Sequence, residues 1–84
     1  MNIDRLVSMA NDISNFFDGE VGEQEAHTSV ALHISRYWDP RMRQQIIAHA
    51  AIGGEGLCKS ALEAVRALPP PPLRDVGATR GSNG

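Results

Sequence analysis

Apolar residues recur along this chain at intervals of three and four. From the start, Ile3, Leu6, Val7, Ala10, Ile13 and Phe17 fall on one side of a helical wheel and predict a helix over 3–17. Asn2 suits its N-cap, Asp4 suits the positive end of its dipole, and Gly19 is placed to end it. Phe16 widens the apolar face at its C-terminal end. The polar stretch "DGEVGEQE" reads as a connector. A second helix is expected over 23–38, with Ala26, Val30, Ile34, Tyr37 and Trp38 as its apolar positions. Pro40 disfavours helical geometry in the residue before it, so that helix must stop near Trp38 or Asp39. Asp39 as N-cap and Pro40 as first helical residue then open a third helix over 40–52, striped by Met42, Ile46, Ala50 and Gly53. "GGEG", residues 53–56, is a stop and turn, and a fourth helix follows over 58–68 with Cys58, Ala61, Leu62, Val65 and Leu68 on one face.

These elements predict an all-α fold, a small bundle of three to four short helices. No stretch alternates as a strand would, and no internal repeat is evident. The remainder, "PPPPLRDVGATRGSNG", imposes an extended polyproline segment and carries no core-forming content. The division expected is a helical domain over 1–68 and a Pro/Gly-rich tail over 69–84, disordered or extended unless bound.

Composition sharpens this in one respect. With 84 residues and only Phe16, Phe17, Tyr37 and Trp38 as aromatics, the core is thin and near the lower size limit for independent stability. Chains this short usually add a disulfide, a metal or a partner. A lone cysteine, Cys58, excludes an internal disulfide and a CxxC zinc pair, so a reducing compartment and a docking partner are expected. The N-terminal segment lacks the uninterrupted apolar run of a signal peptide, and no stretch approaches the roughly 20 apolar residues of a membrane span. A soluble, cytoplasmic protein is the expectation.

The net charge of −2 conceals an asymmetry. Residues 1–25 hold six acids against Arg5, whereas residues 36–43 hold three arginines against Asp39. An acidic chain is a poor general nucleic-acid binder, yet a local basic patch can still dock a phosphate or a carboxylate. Candidate catalytic chemistry is sparse. His27, His33 and His49 accompany no Ser/His/Asp spacing and no HExxH pattern, and "GGEG" lacks the Lys-Ser/Thr of a phosphate-binding loop. A metal site would need His33, His49 and Cys58 to converge from different helices, with no local pair to fix two ligands. Cys58 reads first as a small apolar packing residue. No catalytic, cofactor-binding or metal-binding residue is therefore predicted.

The corner "YWDPRMRQQII" poses the sharper question. Arg41 and Arg43 occupy the first turn of a helix, where the dipole disfavours cations, close to Arg36 and Trp38. They can pair with the acidic first segment, or face carboxylates or phosphates of another macromolecule; arginine and tryptophan are enriched at interface hot spots.

In order and spacing, "MAN.I..FF", "H....WDPRMR..I..H" and "GG.GL" over residues 3–66 resemble the delta subunit of NAD-dependent formate dehydrogenase. The family commonly follows the glycine turn with an N-cap and a proline, where this chain has Cys58 and Lys59, so the resemblance leaves the onset of the fourth helix open. It implies a cytoplasmic complex that converts formate and NAD⁺ to CO₂ and NADH. The chemistry would lie in larger subunits holding a molybdenum or tungsten bis-pterin guanine dinucleotide, iron–sulfur clusters and FMN. This chain would be a non-catalytic accessory subunit, without cofactor, docking on the catalytic alpha subunit and through it on beta and gamma. Its role would be to support assembly, cofactor insertion or stability. The candidate partner-binding residues are Arg36, Trp38, Arg41, Met42, Arg43 and His49. The rival is a small helical nucleic-acid-binding module using Arg36, Arg41 and Arg43 against backbone phosphate.

Overall fold

The computed structural model describes residues 2–71. Four helices follow in order: α1 (Ile3–Val21), α2 (Glu23–Tyr37), α3 (Pro40–Ala51) and α4 (Lys59–Ala67). Among the described residues there is no strand, and the fold is all-α as the periodicities predict. Pro69–Pro71 leave α4 without regular structure, and Pro71 is buried. Most of the tail reading falls on residues 72–84, which lie outside the described residues.

α1 departs from expectation at its end. Its N-cap is as read, with the Asn2 side chain accepting from the Asp4 N–H at 2.7 Å. The helix does not stop at Gly19 but runs to Val21. A glycine inside a helix costs about 1 kcal/mol relative to alanine, less than the bonding that another turn provides. The last turn is also fastened from outside, because Ser60 Oγ donates to Asp18 Oδ1 at 2.6 Å. The stop is Gly22, whose φ of 88° is accessible to glycine without strain and whose N–H returns to the Asp18 carbonyl. Its own carbonyl accepts from Glu25 and Ala26, opening α2. The expected polar connector thus shrinks to a single residue, and α1 and α2 pack on each other through their apolar stripes.

At the other corner the local rules hold. Asp39 caps α3 by accepting from the Met42 N–H at 3.0 Å, with Pro40 in the first turn. The 53–56 turn is also real. Gly53, Gly54 and Gly56 all take positive φ, and a Cβ on Gly54 would lie 2.5 Å from Leu62 Cδ1. His49 Nε2 meets the Glu55 carbonyl oxygen at 2.7 Å across this turn. Cys58 stands at the N-cap of α4 but makes no side-chain cap. Asn11 of α1 steadies the segment instead, donating to the Gly56 carbonyl and accepting from the Cys58 N–H, each at 2.8 Å.

Leu6, Val30, Ile34, Ile46 and Val65 form the fully buried centre, one or two from each helix. Each contributes on the order of 1.5–3 kcal/mol by leaving water. α4 packs on the three other helices. The two edges of the α1 stripe consequently differ: Asn11 and Asp18 bind the glycine turn and α4, whereas Met9, Ile13 and Phe16 line the opposite, open side.

Candidate partner-binding site

The six residues read as a partner-binding set do not form one surface. Trp38, expected to face outward, is 5% exposed and belongs to the core. The cause is the corner itself. Once α2 ends at Tyr37 and Pro40 starts α3, the Trp38 backbone turns extended and its side chain joins the core cluster. Arg43 also turns inward, its Nη1 donating to the Trp38 carbonyl oxygen.

That bond answers the charge question at this corner. Arg43 lies in the first turn of α3, but its guanidinium reaches a carbonyl at the C-terminal end of α2. Helix C-termini carry partial negative charge and favour cations, and their last carbonyls need donors. One arginine therefore caps the preceding helix. The cluster invoked for phosphate binding is broken up, because Arg43 has an internal partner. The expected pairing with the acidic first segment is not what holds the other two. Arg36 and Arg41 are exposed, and neither pairs with a carboxylate among the described residues.

Met42 is half-buried and borders the same hollow as the edge of Trp38. His49 lies elsewhere, bonded to the Glu55 carbonyl and bordering a separate hollow with Ile3 and Ile52. The three residues of the metal reading also stand apart. His33 packs between Phe17 and Tyr37, His49 is at the glycine turn, and Cys58 opens α4. Among the described residues, no group of three or more His, Cys, Asp or Glu side chains is arranged to hold a metal ion. No described helix is long and apolar enough to cross a membrane.

A surface that the spacing argument passed over is more prominent. Phe16, Leu32 and Tyr37 are 60%, 60% and 70% exposed on the open side of the α1–α2 pair. Four rings cross the seam between the two helices. Phe16 meets Phe17 edge-on at 5.0 Å, Phe17 meets His33 at 6.3 Å, and His33 meets Tyr37 at 4.8 Å between ring centres. Hollows of about 230, 410 and 290 Å³ lie along this seam, and His33 lines all three. Arg36 borders the first and Asp12 the other two. Such a face can bury apolar side chains of another molecule between two charged rims. Phe16, read as widening the buried face of the first helix, is instead left uncovered at its edge. Leu32 lies off the stripe that its own helix buries, and a large apolar residue off the stripe has nothing of its own chain to cover it.

Compared with known families, residues 5–65 match the family model of FdsD, the NADH-dependent formate dehydrogenase delta subunit. Neither the curated proteins nor the solved structures provided a match.

Proposed function

The chain belongs to the FdsD family, the delta subunit of NADH-dependent formate dehydrogenase, and we propose that it serves that complex as a non-catalytic accessory subunit. On this reading it docks on the catalytic alpha subunit in the cytoplasm and supports assembly, cofactor insertion or stability. The molybdenum or tungsten bis-pterin guanine dinucleotide, the iron–sulfur clusters and FMN belong to alpha, beta and gamma. The observation that carries the reading is the uncovered aromatic seam. A subunit of this size with Phe16, Leu32 and Tyr37 in water gains most by giving that face to a larger neighbour. A single cysteine also cannot supply the four thiolates that usually hold an iron–sulfur cluster.

The test is expression of the formate dehydrogenase complex with and without this chain. Omission is expected to lower metal content per alpha subunit and shorten the half-life of formate-dependent NAD⁺ reduction, while co-expression restores both and the chain co-elutes. Full metal content and an unchanged half-life without the chain would overturn the assembly and stability role. Failure of the wild-type chain to co-elute would overturn docking.

A further inference from the structure

Each helix of the α1–α2 pair has one satisfied edge and one open edge. On α1, Asn11 and Asp18 are committed to the glycine turn and to Ser60, while Met9, Ile13 and Phe16 border the hollows. On α2, Ala26, Val30 and Ile34 are fully buried, while Leu32 and Tyr37 stand in water beside Arg36. The open edges meet along the aromatic seam centred on His33.

We infer that this seam receives an amphipathic helix of another subunit, carrying an acid on the flank over Arg36 and a base on the flank over Asp12. The inference rests on the proposed docking within the complex. Three observations select the occupant. First, the seam presents side-chain ridges of two helices and, among the described residues, no strand edge that could add an extended peptide by main-chain pairing. Helices fill such ridges with helices, placing residues three and four apart into successive hollows. Secondly, the hollows are apolar between two charged rims of opposite sign, Arg36 on α2 and Asp12 on α1. Neither charge has a partner among the described residues. Opposed rim charges fix the register and direction of an incoming helix more than they add affinity. Thirdly, the exposed parts of Phe16, Leu32 and Tyr37 amount to roughly 300–400 Å². A stable self-association buries about 800 Å² on each copy. These three side chains supply less than half of that, so the apolar part of the seam does not by itself hold a second copy. A helix already anchored in a large subunit can use it as the apolar centre of a wider contact.

The experiment uses the full chain co-expressed with the complex. A photoreactive benzoylphenylalanine at position 32 or 37 is expected to cross-link to a peptide of another subunit with apolar residues at helical spacing and a carboxylate beside them. Leu32→Asp and Tyr37→Ser are expected to lower the co-eluting chain about tenfold, as loss of a central hot spot does. Circular dichroism of each variant should be unchanged, because both side chains are largely in water. Arg36→Glu should give a similar loss, recovered when the acid of the cross-linked peptide is changed to arginine. Cross-links to a second copy of the chain, or to a peptide without helical apolar spacing, would overturn the inference. So would Leu32→Asp and Tyr37→Ser co-eluting like wild type. In that last outcome the docking reading survives; if the wild-type chain itself fails to co-elute, docking falls and this inference falls with it.

Discussion

Arg41 and Arg43 are two residues apart on one helix turn, and the structure assigns them opposite roles. Replacing Arg43 with alanine removes a donor from the partly buried Trp38 carbonyl oxygen. A hydrogen bond from a charged donor is worth about 1.5–3 kcal/mol. The guanidinium also loses its favourable place at the α2 C-terminus, about 0.3–1 kcal/mol, while the α3 N-terminus gains a similar amount by losing a cation. The two dipole terms nearly cancel, leaving a net destabilisation of about 2 kcal/mol. For a domain of this size that lowers Tm by roughly 8–16 °C. Arg43→Lys keeps the charge without the planar fork and should fall between wild type and alanine. Arg41→Ala touches nothing bonded and should remain within about 0.5 kcal/mol of wild type. Urea unfolding of the three full-length variants, followed by circular dichroism with a common slope, measures all of this. If Arg43→Ala and Arg41→Ala prove equally stable, the corner bond does not hold in solution and the account of the misplaced arginine is wrong.

Three further outcomes follow from the packing. Asn11→Ala deletes both bonds to the glycine turn and leaves the Cys58 N–H without its partner, which should cost about 2 kcal/mol in urea unfolding. Asn11→Asp keeps only the acceptor and should lose less. Gly54→Ala forces a side chain onto φ 66° and makes the end of Leu62 shift, for a loss of about 1–2 kcal/mol that comes mainly from the left-handed backbone; an unchanged Tm would refute that conformation. Ser14 is fully buried, and its hydroxyl has no hydrogen-bond partner among the described residues. Ser14→Ala should therefore raise stability by about 1 kcal/mol, and destabilisation by that amount would mean the hydroxyl is bonded in solution.

The residues that follow rules of short range were legible from the chain alone. Apolar spacing located four helices, since a helix of a small bundle must bury one stripe whatever its neighbours are. Asn2, Asp39 and Pro40 act within a few residues of themselves, so their caps and the α2–α3 break could be read directly. The order and intervals of "WDPRMR" and "GG.GL" likewise pointed to the family that residues 5–65 match. Gly19 shows where such rules stop. A glycine is compatible with both a helix interior and its end, and the run past it is fastened by Ser60 holding Asp18 from 42 residues away, which no local rule shows. Asn11 is similar, an ordinary polar position whose value appears only when the turn at Gly56–Cys58 folds over it.

The candidate surface was less legible for the same reason. Trp38 and Tyr37 are neighbours read onto the same apolar stripe, yet packing buries the first and leaves the second in water, and it ties Arg43 of the next helix to a carbonyl. Periodicity states which side chains share a face, because that is set by 3.6 residues per turn. It does not state which face a neighbouring helix will cover, because that depends on how α3 and α4 close over one side of the α1–α2 pair and leave the other open.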